Sequence, residues 1–172
     1  MNYLQDKSVY LCGTIYGNAN DGVLWRDYMT PLLCDRGIKV LNPCKKVNDV
    51  CGEIGADKEN FKKMVINEQW GDLKKEFWNI VRYDLRCVDL SDFIVLNYDP
   101  TVPTIGTIHE LVVATFEKKV ILLKYDKNQL DQFNPWMATF IKDHHFFSEW
   151  DDMLKYLDKV NDGVLDTSYW VL

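Results

Sequence analysis

The sequence predicts an α/β fold in which helices cover both faces of a mainly parallel sheet of four to five strands. Three observations carry this. Short apolar runs, SVYLC at residues 8–12, IKVLNP at 38–43, FIVLNY at 93–98 and VILLKY at 120–125, are too continuous for a half-exposed sheet and suit strands buried on both faces. Segments with apolar residues three and four apart lie between them, so strand and helix alternate along the chain. With 172 residues, of which 47% are hydrophobic, the chain is long enough for one well-filled core and short for two, so a single domain is expected over residues 1–172.

Each element has its own warrant. The run at 8–12 is stopped by Gly13, and the loop GTIYGNANDG follows at its carboxyl end. From Val23 to Arg36, Leu24, Tyr28, Leu32 and Leu33 recur at helical spacing, and Gly37 stands where helices commonly end on glycine. Pro43 closes the second strand. Residues 44–75 form a long, mostly polar insertion with a helix predicted from about Lys58 to Gln69; connections of this length often serve as lids or partner contacts. Phe77, Ile80, Val81, Leu85 and Val88 predict a helix over Glu76 to Leu90. GTIHELVVATFEKK (106–119) reads as the next helix, HHFF at 144–147 as a loop, and Trp150 to Val160 as the last helix. The ending NDGVLDTSYWVL has an exposed-looking hydrophobic character, as if to dock onto a neighbouring subunit.

Composition narrows the function classes. A formal net charge of −6 and a pI near 5.0 disfavour a nucleic-acid polymer as partner, because binding phosphate backbones needs a basic face. No run of eighteen apolar residues and no signal-peptide pattern is present, so no membrane partner is expected and the cytoplasm is the default address. Five cysteines (Cys12, Cys34, Cys44, Cys51 and Cys87) without C-x-x-C spacing, and three histidines without H-x-x-x-H spacing, predict neither a disulfide framework nor a metal site. No organic cofactor is expected either.

In an open α/β sheet ligands bind beyond the carboxyl ends of the strands, which puts the Gly13 loop, Pro43 and residues 100–110 on one rim. There PTVPTIGTIHELVVA sets Glu110 near a helix start. Two readings of Glu110 stay open. Thr107-Ile108-His109-Glu110 matches a capping box, and an acidic residue is favoured there by about 0.3–1 kcal/mol through the helix dipole. The same dipole would keep the carboxylate ionised and available as a nucleophile, with a second acidic group nearby. Asp84 is the best second group; Asp89 and Asp92 suit turns or caps, and a surface charge is the plain alternative for each. His109 is set aside because adjacent residues on a helix do not face each other.

VYLCGTIYG, IVRYDLRCVDLSDFIVLNYDP, and PTIGTIHELVVA followed by KKVILL resemble, in order, the motifs of the nucleoside 2-deoxyribosyltransferase family, including its 2'-deoxynucleoside 5'-monophosphate N-glycosidase branch. The resemblance covers about residues 8–42 and 80–124. It implies a flavodoxin-like or Rossmann-like three-layer sandwich, a homo-oligomer, and cleavage of the N-glycosidic bond through a glutamyl-glycosyl intermediate. The partners would be a deoxynucleoside or deoxynucleotide and a free nucleobase. The nucleophile maps onto Glu110, the assisting acid onto Asp84, and a tyrosine that positions the nucleophile onto Tyr10. Gly13, Thr14, Gly106 and Thr107 would surround the sugar or a phosphate.

Two departures bear on the substrate. Where the transferases have a base-reading aspartate this chain has Thr104, as in the monophosphate hydrolases; where those hydrolases carry a first-loop arginine it has Tyr16. Arg26, otherwise an exposed helical arginine, or a lysine of residues 44–75 could stand in for that arginine. Trp25 is either a stacking surface for a base or a core aromatic, and Asn134 in FNPW is the candidate contact to a neighbouring subunit's site. Two other classes remain possible: a nucleotide-binding protein of the same fold without turnover, and an interaction module built on residues 44–75.

Overall fold

Alternation along the first strand organises the molecule. In β1 (Ser8–Gly13), Val9 and Leu11 face one side of the sheet and join one apolar cluster, whereas Tyr10 and Cys12 face the other and join a second. The computed structural model describes residues 2–15, 20, 22–46, 54–102 and 104–170. Tyr16 lies outside them.

The sheet adds β2 (Lys39–Leu41), β3 (Phe93–Asn97), β4 (Val120–Lys124) and β5 (Phe146–Phe147) in the order β2-β1-β3-β4-β5, every adjacent pair parallel. This is the doubly wound order of a flavodoxin-like fold, with its topological switch between β1 and β3. Six α-helices, with short 3-10 helices at Lys127–Gln132 and Asp143–His145, complete the described chain: α1 (Val23–Cys34), α2 (Gly55–Ile66), α3 (Trp70–Leu90), α4 (Ile105–Phe116), α5 (Pro135–Ala138) and α6 (Trp150–Asn161). On one face α1 and α6 bury Met29, Leu33, Met153, Leu157 and Val160 against Val9, Leu11, Phe93 and Leu122. On the other, α3, α4 and α5 bury Cys87, Val88, Leu111, Ala114 and Met137 against Tyr10, Ile94, Leu96 and Ile121. No described helix is long and apolar enough to cross a membrane.

Several expectations need correction. Of the expected apolar set Leu24, Tyr28, Leu32 and Leu33, Leu33 is buried and Leu32 packs partly against the core, whereas Leu24 and Tyr28 point outward and α1 buries Arg26 and Met29 as well. The helix expected from Glu76 starts at Trp70, because Trp70, Leu73 and Phe77 extend the same spacing backwards. The helix expected over 58–69 runs from Gly55 to Ile66. HHFF is not a plain loop: a 3-10 turn holds His144 and His145, and the two phenylalanines form the edge strand β5. The tail does not offer Trp170 for docking, since its ring is buried 5.3 Å from that of Phe93.

Candidate functional site

Two carboxylates occupy positions on adjacent helices where the spacing calls for apolar residues. On α3 the buried face is Ile80, Asp84, Cys87 and Val88; on α4 it is Thr107, Leu111 and Ala114, with Glu110 between them. Helices α3 and α4 pack on each other and on β1, so both acids come to the carboxyl end of that strand.

Glu110 does not cap its helix. Helix α4 begins at Ile105, two residues before Thr107, and its N-cap Thr104 makes no side-chain cap bond; Glu110 therefore lies beyond the first turn. Its carboxylate is held from the strand below: the Tyr10 hydroxyl donates to Oε1 at 2.9 Å and the Cys12 thiol donates to Oε2 at 3.0 Å. Period-two alternation makes this possible, because residues 10 and 12 share a face of β1. Beyond the first turn the helix dipole gives Glu110 little help in staying ionised. Burial, then the Asp84 charge, pushes the Glu110 carboxyl up to about 7, against the hydrogen bonds from Cys12 and Tyr10 and the more distant Arg26. Burial and then the Glu110 charge likewise hold Tyr10 and Cys12 well above their usual values, so both remain protonated donors near neutrality.

Asp84 is buried rather than a surface charge, and Lys46 reaches it from beyond β2, Nζ to Oδ1 at 2.5 Å. The Lys46 side chain is itself only 3% exposed and also donates to the Pro43 carbonyl at 3.0 Å. Burial raises the Asp84 carboxyl above its ordinary value in spite of Lys46, whose charge and hydrogen bond act the other way. A lysine of the long insertion thus arrives at the site, with the acid as its partner. Asp92 does what a turn residue does, accepting from the Ser8 backbone amide and hydroxyl through Oδ2.

Arg26 is fully buried, contrary to the exposed-arginine expectation. Its Nε donates to the Leu11 carbonyl at 3.0 Å, and its two terminal nitrogens donate to the carbonyls of Gly22 at 2.9 Å and Gly13 at 2.8 Å. The guanidinium fork therefore ties the end of β1 to the start of α1. Gly13 has φ 151°, and a Cβ there would sit 2.8 Å from the Asn97 carbonyl oxygen.

These elements enclose a cavity of about 430 Å³, within the range of small-molecule sites. Of the residues singled out in the sequence, Gly13, Thr14, Asp84, Thr104, Gly106, Thr107 and Glu110 line it, and Tyr10 stands behind Glu110. The hydroxyls of Thr14 and Thr104 are buried without a hydrogen-bond partner among the described residues. Trp25 and Asn134 are not in the lining: Trp25 stacks on Trp150 at 5.5 Å, and the Asn134 side chain caps α5 by accepting from the Trp136 amide. His109, set aside above, does line the cavity, as do Phe77, Val81 and Leu85 of α3. Cys12 was missed altogether, and Lys46 was foreseen only as an unnamed lysine of residues 44–75. Alternation from Tyr10 could have pointed to Cys12, whereas nothing local marks Lys46. Among the described residues no group of three or more His, Cys, Asp or Glu side chains could hold a metal ion.

No family model and no curated protein sequence matches the chain. Solved structures do. A conserved protein from Enterococcus faecalis V583 superposes with a TM-score of 0.57 at 17% identity, over 90% of this chain and 99% of that one. A 2-deoxyribosyltransferase from the psychrotolerant bacterium Bacillus psychrosaccharolyticus superposes with a TM-score of 0.54 at 16% identity, over 87% and 91%. The chain shares the fold of a 2-deoxyribosyltransferase. A CMP N-glycosidase from Clostridium botulinum, BcmB, matches with a TM-score of 0.49 at 14% identity, over 90% and 99%. At these identities the likeness is one of fold.

Proposed function

We propose that this protein cleaves the N-glycosidic bond of 2'-deoxynucleosides or their 5'-monophosphates, with Glu110 as the nucleophile. The observation that carries the reading is the Glu110 carboxylate on the cavity wall, gripped by two donors from β1 with a second buried acid, Asp84, lining the same cavity. The fold shared with a 2-deoxyribosyltransferase supports it.

A Glu110 oxygen attacks the anomeric carbon as the C–N bond breaks, and that bond's electron pair leaves with the base. The departing base takes its proton from Asp84, whose proton affinity burial has raised. Between the two steps Lys46 stabilises the Asp84 carboxylate that results. Water, or a nitrogen of a second base, then attacks the anomeric carbon, releases Glu110 and returns a proton to Asp84. The buried hydroxyls of Thr14 and Thr104, without a partner among the described residues, offer hydrogen bonds to the sugar or a 5'-phosphate, and Phe77, Val81 and Leu85 give the base an apolar wall.

The test is incubation with each deoxynucleoside and deoxynucleoside monophosphate, with and without a second free base, following released and exchanged bases by chromatography. Base release that disappears in Glu110→Ala is the expected result. Wild-type rates in that variant would remove Glu110 as nucleophile, and binding without any base release would leave a nucleotide-binding protein. Asp84→Asn should slow release of the base; a silent variant would end its proposed role.

A further inference from the structure

We propose that Cys12 is a positioning residue, which with Tyr10 clamps the Glu110 carboxylate, fixes its plane and favours its charged form. The inference rests on the nucleophile reading above and adds a residue to it. Its ground is geometric. Tyr10 and Cys12 each give one donor to a different oxygen of the same carboxylate, so rotation about its last bond would break both contacts together. The strand cannot shift to accommodate such a rotation, because Tyr10 and Cys12 are in register with Ile94 and Leu96 of β3, at the centre of the sheet. Cys12 is also fully buried, so no solvent competes for the thiol.

The thiol acts as a donor and not as a second nucleophile. Burial and the Glu110 charge hold its proton in place, so the thiol serves the carboxylate only as a hydrogen-bond donor. The charged and titratable groups around Glu110 come from every neighbouring element: Tyr10 and Cys12 from β1, Arg26 from α1, Asp84 from α3 with Lys46 behind it, and His109 beside it on α4. Among the described residues, Tyr10 and Cys12 are the ones that hydrogen-bond the carboxylate. Cys12 is thus a position where one substitution changes the hydrogen bonding of Glu110 without altering any of those charges.

Cys12→Ala and Cys12→Ser remove nearly the same bulk, and only serine restores a donor, so their difference reads the hydrogen bond and not the lost volume. The direct measurement is the titration of the Glu110 carboxyl carbon by NMR in protein labelled at glutamate, assigned with Glu110→Gln and made without substrate. In Cys12→Ala the midpoint should rise from about 7 by roughly one pH unit, the scale of one hydrogen bond to a charged group. Cys12→Ser should bring it back by at least half of that shift. In turnover, Cys12→Ala should lower kcat several-fold with KM unchanged, and its acid limb should follow the NMR midpoint. Alanine titrating with the wild type, or alanine and serine titrating together, would overturn the clamp and leave Cys12 as a space-filling residue. The two readings fail separately: the titration needs no activity, and Glu110→Ala that keeps its turnover would end the nucleophile reading whatever Cys12 does.

Discussion

With its carboxyl lifted to about 7, Glu110 links turnover and stability to one titration with opposite signs. On the proposed mechanism Glu110 must be ionised while Asp84 holds a proton, so base release should climb as pH rises through the Glu110 titration and fall again as Asp84 loses its proton, a bell that a kcat/KM profile will show. Stability runs the other way. Between the ordinary glutamate value of 4.5 and about 7 the folded protein holds a proton that the unfolded chain has lost, so stability falls as pH rises through this window and the full cost is present above it. Glu110→Gln should therefore melt higher than the wild type by a few degrees at about pH 8, and the advantage should vanish near pH 4. The Lys46–Asp84 pair gives a second prediction. Both side chains are almost fully buried, so Lys46→Met leaves a carboxylate without its counter-charge and should cost about 3–5 kcal/mol by chemical denaturation. Adding Asp84→Asn should recover part of that loss, a coupling that surface residues would not show.

Charged residues on buried helix faces mark the elements that build the site. Arg26 falls in line with Met29 and Leu33, Asp84 with Ile80 and Val88, and Glu110 beside Leu111 and Ala114. Such positions are legible in a sequence once the face is chosen correctly. For α4 the motif did this; for α1 it did not, because Leu24, Tyr28 and Leu32 offered a competing stripe, of which Leu24 and Tyr28 are exposed. β1, β3 and β4 were legible because burial on both faces leaves them almost continuously apolar, whereas β2, exposed or half-buried along its length, was marked by its short apolar run and the proline that closes it. The two-residue β5 was not, since pairing with β4, and not its own composition, makes it a strand. Lys46 was equally hidden: its partner is 38 residues away and their meeting is a product of tertiary packing. Arg26 tests the element scale. Its fork serves three backbone carbonyls at once, a geometry an ammonium cannot reproduce, so Arg26→Lys should cost about 2–4 kcal/mol and loosen the β1–α1 junction. Slower base release and faster amide exchange at Gly13 and Thr14 are the measurements.

Across the whole molecule the sheet separates chemistry from the closing of the chain. Tyr10, Cys12, Asp84 and Glu110 belong to the face covered by α3 and α4. The opposite face carries the two ends of the described chain: Leu4 is fully buried there, its amide donating to the Asn161 side chain at 2.9 Å, and Trp170 packs between Phe93 and Tyr156. Trp170 is taken out of the expected docking tail because hydrophobicity near a terminus does not say which surface will cover it. The division makes the cost of losing Trp170 predictable. Trp170→Ala removes a buried indole and should lower stability by about 3–5 kcal/mol. Phe93 pairs with Val9 at the start of the β1–β3 ladder, four residues before the Gly13–Asn97 pair that borders the cavity, so the loss should not reach Glu110. Well below its lowered melting temperature the variant should release base at the wild-type rate with an unmoved acid limb. A shift of that limb would mean that the two faces of the sheet are coupled, and the site would then depend on the packing of both.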